Sequence, residues 1–284
     1  MPFSLRPASG FDACALADVV NASYRDYAAP IQFTSDQYEF FVSSHDVDPG
    51  LSVVAEAAGK PVGLAQLARR GDRGWVVGVG VEPEHRRQGI ARAMMEALMG
   101  NARAAGLERL QLEVLQQNEA ALALYEDLGW CIERELLTWS RPADQGPLPI
   151  PAELLVEMDP LALLDAGFRW HDQPPCWQRE HTTLGSFAAA GLRGWTLLRN
   201  DRPAGYVLGF SPHEGQMTLV DVVVDPAYGI RSAGRPLIQA LHLRFLDTTT
   251  RLANEPVDSV LNHLFAALTY RVIFRQHEMM LNFV

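Results

Sequence analysis

The sequence predicts an α+β fold built twice: two similar domains in tandem, each a mixed, mostly antiparallel sheet flanked by helices. Three observations carry this. The 284 residues, 48% hydrophobic and 20% charged, are enough for two packed cores. In each half, short alternating apolar runs are interleaved with stretches whose apolar residues recur at helical spacing. The second half also echoes the first at four ordered places. GKPVG (59–63) resembles DRPAG (201–205), and VGVEPEHRRQGIARAMMEAL (79–98) lines up with VVVDPAYGIRSAGRPLIQAL (222–241). Asn118-Glu119 matches Asn254-Glu255, and LYEDLGW (124–130) matches LFAALTY (264–270). Between the copies, residues 141–151 (RPADQGPLPIP) hold Pro142, Pro147, Pro149, Pro151 and Gly146 and read as a linker. The partition is therefore 1–140, linker 141–151, and 152–284.

Within the first copy, Ser4 to Pro7 reads as a short strand. Phe11 to Ser23 carries a helical apolar face of Phe11, Ala15, Leu16, Val19 and Val20, with Asp12 in its first turn. Thr34 is placed to cap a second helix, Ser35 to Val42. Leu51 to Ala57 and Pro61 to Leu67 form a hairpin around Gly59 and Lys60. The run Trp75 to Val81 is the next strand. A helix from Ile90 to about Ala105 follows and stops at Gly106. Leu110, Leu112 and Val114 alternate as a strand. Asn118 opens a helix over Glu119 to Leu128, Gly129 ends it, and Cys131 to Trp139 is the last strand.

Composition excludes several classes. No apolar run reaches the ~20 residues of a membrane helix, and MPFSLRPASGFDACALADVV lacks the basic and apolar regions of a signal peptide. Cys14, Cys131 and Cys176 are scattered with no metal-type spacing, so we expect no metal and a reduced, cytoplasmic setting. Cys131, following Trp130 into a strand, is expected to be buried. Trp130, Trp139, Trp177 and Trp195 are expected to be packing residues. A formal net charge of −10 argues against a nucleic-acid partner. The acidic excess lies mainly in the first half, where it serves solubility or attracts a cationic amine.

The stretch Trp75 to Leu98 is the most informative. An apolar strand ends at Pro83, a glycine-containing turn follows, and an amphipathic helix begins at Ile90. The first N–H groups of a helix lack intrahelical partners, and the helix dipole favours an anion there. Gly89 lets backbone approach a ligand closely. This is a phosphate-binding turn.

Together, RRQGIA (86–91) and NEAALALYEDLGW (118–130) resemble two markers of the GNAT superfamily of N-acetyltransferases. These are its acetyl-CoA loop, Arg/Gln-x-x-Gly-x-Gly/Ala, and its Asn-x-x-Ala…Tyr…Leu-Gly-Phe/Trp segment. The resemblance covers residues 3–139 well and 150–284 weakly, as in a tandem GNAT protein. It implies that the backbone from Arg87 through Gln88, Gly89, Ile90 and Ala91 holds the CoA pyrophosphate, with Arg86 or Arg87 touching phosphate. It also implies that the strand edge at Val79 and Val81 pairs with the pantetheine arm and that Asn118 holds the arm from the other side. Tyr125 would then lie by the thioester sulfur as general acid, its phenol pKa within about two units of a thiol's. Val79 N–H would meet the carbonyl oxygen as charge builds there. The family often places a glutamate near the start of the opening strand as base, directly or through water. Here Trp75 stands there. Glu113 is the carboxylate on the next strand; His45, Asp36, Glu39 and a water relay remain alternatives.

The second copy departs from the pattern. Arg86 becomes Gly229, Gly89 becomes Ser232, Tyr125 becomes Phe265, Gly129 becomes Thr269, and Pro236 enters the first helical turn. It reads as a GNAT-like fold without acetyltransfer of its own, expected to wall off the acceptor cleft of the first. The sequence thus implies an acetyl-CoA-dependent N-acetyltransferase acting on a primary amine of a small molecule or peptide, monomeric (an internal pseudo-dimer) or homodimeric. The alternative is a non-catalytic acyl-CoA sensor or interaction protein.

Overall fold

The computed structural model describes residues 2–27, 31–146 and 148–283; Pro147 of the proline-rich stretch lies outside them. The chain forms two compact units. The first comprises the residues through Glu133 together with those from His277 onward, and the second spans Arg134–Gln276.

In the first unit the elements are β1 (Phe3–Pro7), α1 (Ala13–Tyr24), α2 (Ser35–Ser44), β2 (Val53–Ala57), β3 (Lys60–Arg70), β4 (Arg73–Val81), α3 (Ile90–Ala104), β5 (Arg109–Leu115) and α4 (Glu119–Asp127). The next strand, β6 (Cys131–Arg141), begins in this unit. The helix ends follow the local sequence. Asp12 caps α1 by accepting from Ala15 N–H at 2.8 Å. Thr34 and Gln37 form a reciprocal capping box on α2. Gly106 closes α3 with a positive φ of 76°.

The sheet order is β1-β2-β3-β4-β5, and the final strand of the chain, β12 (Arg271–Asn282), lies next to β5. β4 and β5 pair in parallel, and the pairs β1–β2, β2–β3 and β3–β4 are antiparallel. One face packs on α3 and α4 around Leu67, Met94, Met95, Leu98, Leu110 and Trp130. The other packs on α1 and α2 around Leu16, Val20, Tyr38 and Leu64.

The second unit takes most of β6 and adds β7 (Val156–Met158), α5 (Pro160–Gly167), α6 (His181–Ser186), β8 (Arg193–Arg199), β9 (Arg202–Gly209), β10 (Gln216–Val224), α7 (Arg235–Arg244), β11 (Thr249–Pro256) and α8 (Leu261–Ala267). Its strand order is β6-β11-β10-β9-β8-β7, with β10 and β11 parallel. Trp139, Trp177 and Trp195 are buried here, as packing residues.

Three sequence expectations differ from this arrangement. The units divide at Glu133/Arg134 rather than at the proline-rich 141–151, and the residues from His277 belong to the first unit. Alternation in a strand tells which side chains face a core, not which sheet accepts the strand. Asn254-Glu255 lies within β11, beside a register shift and with Asn254 at φ 58°, rather than at a helix start. It is therefore not the counterpart of Asn118, which caps α4. Cys131 is exposed, because Trp130 takes the inward place at the start of β6.

Met279 (0% exposed) and Leu281 (9%) belong to the core that contains Met94 and Leu110. Met279→Ala should cost about 3 kcal/mol of unfolding free energy, read by urea denaturation. An unchanged midpoint would show that β12 is not part of that core.

Candidate active site

The parallel pairing of β4 with β5 covers Arg73–Trp75 against Arg109–Gln111, and both strands run on beyond it, to Val81 and Leu115. Between Gln66 and Leu67 of β3 the register with β4 shifts so that Val77 is the extra residue. A bulge of this kind re-aims a strand and interrupts its pairing. Among the described residues, Gly78–Val81 pair with none of β5.

Two glycines let α1 lie against this bare edge. A Cβ on Gly80 would stand 2.6 Å from Ser23 Cβ, and one on Gly78 would stand 2.8 Å from the Tyr24 hydroxyl. That hydroxyl accepts from the Val79 backbone N–H. Tyr27 packs edge-on to Tyr24, with ring centroids 5.3 Å apart, and its own hydroxyl is hydrogen-bonded to the Asn118 side chain. Asn118 Oδ1 also accepts from Ala121 N–H, capping α4. Tyr125, on α4, is 8% exposed. Burial, reinforced by Tyr24 and Tyr27, pushes its phenol above the usual range. Three phenols therefore converge at the open end of β4 and α4. Of these three the sequence singles out Tyr125 alone. A tyrosine on the last turn of an amphipathic helix, with a second three residues on, is indistinguishable from core packing until the glycines beneath are known.

After β4 the chain makes one short turn, Pro83–His85, and enters the loop. Arg87 and Gly89 both have positive φ, 63° and 80°. Gly89 sits at the N-cap of α3 with no side-chain cap, so the first N–H groups of the helix stay open to solvent or ligand. Arg86, Arg87, Gln88 and Gly89 are exposed, Ala91 is half-buried, and Ile90 is anchored in the core.

Arg86 is committed elsewhere. Its guanidinium grips both carboxylate oxygens of Asp26 at 2.7 Å, donates to Ser23 O at 3.0 Å, and reaches Val81 O at 3.0 Å. That bidentate bond holds the Asp26 carboxyl below its ordinary range. Arg86 thus braces the loop against α1, and the expectation that it meets phosphate transfers to Arg87.

On the α1/α2 face, the Trp75 indole donates to Glu113 Oε2 at 2.7 Å. His45 stacks on Trp75 (5.7 Å) and on Phe41 (4.4 Å), and its Nδ1 lies 3.0 Å from Phe41 O. Burial lowers the His45 pKa to about 4, so it is a neutral packing residue at pH 7. Asp36 and Glu39 are exposed on α2. Among the described residues, no group of three or more His, Cys, Asp or Glu is placed to hold a metal, and no helix is long and apolar enough to cross a membrane.

Comparison with known proteins places this geometry. Residues 16–130 match the acetyltransferase (GNAT) family. An acetyltransferase of Sodalis glossinidius is 36% identical over 90 residues, which is 32% of this chain and 63% of that protein. Among solved structures, a GCN5-related N-acetyltransferase from Sphaerobacter thermophilus superposes with a TM-score of 0.72 at 18% identity. That match covers 99% of this chain and 95% of that one. A tandem GNAT protein from the clavulanic acid biosynthesis pathway gives 0.73 at 16% identity, over 99% and 98%. The likeness to the GNAT family of acetyltransferases thus lies in the segment 16–130. Over its whole length, the chain has the fold of a tandem GNAT protein.

Two predictions follow from the packing. Gly80→Ala must push α1 off β4; we expect a loss of about 1–3 kcal/mol in chemical denaturation. Full stability would show that α1 does not rest on this backbone. The stability that His45 contributes is complete above its unfolded pKa, about 6.5, and is lost as pH falls to about 4. It amounts to at most about 3 kcal/mol. Over that window His45→Phe should show a flatter decline than the parent, and parallel curves would contradict the assignment.

Proposed function

We propose that the first unit is an acetyl-CoA-dependent N-acetyltransferase that delivers an acetyl group directly to a primary amine of a small molecule or peptide. The observation that carries this reading is a convergence on the diverging ends of β4 and β5. A helix N-terminus opened by a left-handed glycine and a buried, protonated tyrosine meet there.

The residues fit the co-substrate. Backbone N–H groups from Arg87 to Ala91, with the exposed Arg87 cation, would hold the diphosphate. The bare edge of β4 at Val79 and Val81 offers backbone partners to the amides of the pantetheine arm, opposite Asn118. Acetyl-CoA supplies the activated thioester.

The acceptor amine, with a pKa of roughly 10, must first give up a proton. Glu113, oriented by the Trp75 indole, is the carboxylate we assign to that step, directly or through water. As the new C–N bond forms, negative charge gathers on the carbonyl oxygen. The Val79 N–H, now capped by the Tyr24 hydroxyl, marks the donor position for it. As the C–S bond breaks, Tyr125 passes its proton to the sulfur. Burial keeps that proton in place, and it also sets the phenol further from a thiol's pKa than the roughly two units that separate the free groups. In the second unit Phe265 is fully buried in the core and has no proton to give, so the reaction is assigned to the first.

Tyr125→Phe should lower kcat by about a hundredfold and leave the KM for acetyl-CoA within about twofold. Unchanged kcat would remove Tyr125 from the chemistry. Gly89→Glu, which sets a carboxylate and a strained backbone at the loop, should abolish CoA binding in calorimetry; normal binding would refute the loop assignment. Tight CoA binding without thiol release on any amine of a broad panel would favour a non-catalytic acyl-CoA sensor.

A further inference from the structure

The second unit repeats the divergence of strands and uses it differently. β10 and β11 pair from Gln216/Thr249 to Leu219/Leu252, then run on to Val224 and Pro256. Beside the divergent ends lies a cavity of about 330 Å³, walled mainly by carbon from Trp170, Val222, Val224, Ile230, Pro256 and Leu261.

A phosphate seat is absent from the described residues of this copy. The chain passes from Gly229 into a π-helical turn, Ile230–Gly234, that continues directly into α7 with Pro236 in its first turn. The Ser232 hydroxyl folds back onto Tyr228 O, and Ser232 O accepts from Arg199.

The cavity borders a buried polar cluster. Arg179 (3% exposed) donates to Asp221 Oδ1 from Nε (3.1 Å) and Nη2 (2.7 Å) and pairs through Nη1 with Glu255 Oε2. Asp221 accepts further bonds from the Tyr206 hydroxyl (2.8 Å) and His171 Nε2 (3.0 Å). His171 Nδ1 lies 2.7 Å from Phe168 O, so both ring nitrogens face acceptors. Burial disfavours the imidazolium, but Asp221 outweighs it and raises the His171 pKa. Within this cluster the Arg179 guanidinium and the His171 ring face the two carboxylates. One acceptor remains. Glu255 is 2% exposed and lines the cavity, and among the described residues only one of its two oxygens is engaged, by Arg179.

We propose that this cavity is a binding site for a small uncharged molecule with an apolar body and a single hydrogen-bond donor, a hydroxyl or an amide N–H, seated on Glu255. An ammonium head on Glu255 would stand beside the Arg179 guanidinium that already holds this carboxylate. An anionic head would meet the Glu255 carboxylate. The carbon walls fit the body, and the Glu255 oxygen not engaged by Arg179 fits the donor. This site is independent of the chemistry assigned to the first unit.

The test keeps one ring and changes the charge of its head. Benzyl alcohol, benzylamine and benzoate are titrated by calorimetry into the full chain at pH 7. Each is repeated with Val260→Trp, which puts an indole at the cavity wall from a residue that is 46% exposed. Benzyl alcohol should bind saturably and at least about tenfold tighter than either charged probe. Val260→Trp should weaken it at least about tenfold at unchanged Tm. Only the component sensitive to Val260→Trp is scored, so amine binding in the first unit does not enter. The proposal is overturned by an absence of saturable benzyl alcohol binding, by equal or tighter binding of a charged probe, or by indifference to Val260→Trp.

Discussion

The close approach of α1 to the backbone of β4 organises the first unit. Gly78 and Gly80 carry no side chains, so Ser23 and Tyr24 rest on the strand itself. From that contact follow the Tyr24 bond to Val79 N–H, the place of Tyr27 against Asn118, and the reach of Asp26 to Arg86. The phosphate-type loop after β4 is thereby tied to a helix some sixty residues earlier in sequence. A side chain at either glycine would separate these groups, although neither glycine has chemistry of its own.

The two units show how little a fold constrains what its cleft does. Each has a parallel pair of strands that diverge after a few residues. In the first, the space beside the divergence is bordered by phenols and a loop with open amides. In the second, Arg179 bridges the diverging strands through Asp221 and Glu255, and the loop has become continuous helix. Tyr125 and Phe265 occupy matching helices, yet one carries a titratable proton near the gap and the other is only core. Function resides in these substitutions and not in the shared architecture.

Much of this was legible locally. The helix caps at Asp12 and Thr34, the hairpin of β2 and β3, and the strand, turn and helix around Gly89 follow from spacing and from residue preferences over a few positions. What spacing could not supply was the partner. Arg86 reads as a phosphate ligand because the loop is basic, and only Asp26 reassigns it. Asn254-Glu255 mimics Asn118-Glu119 in letters while lying inside a strand. Trp75, standing where a carboxylate was sought, turns out to hold one: its indole reaches Glu113 across the parallel pair. Each of these depends on contacts between distant positions.

The strand that completes the first unit has a temporal meaning. Residues from His277 onward join a core whose other members all precede Glu133, and the entire second unit is encoded between them. A growing chain emerging from the ribosome cannot close this core when its own helices and sheet have appeared. It must hold Met94, Leu110 and their neighbours in an unfinished state until the second unit has been made. The unit translated first is therefore completed only with the strand that also closes the second.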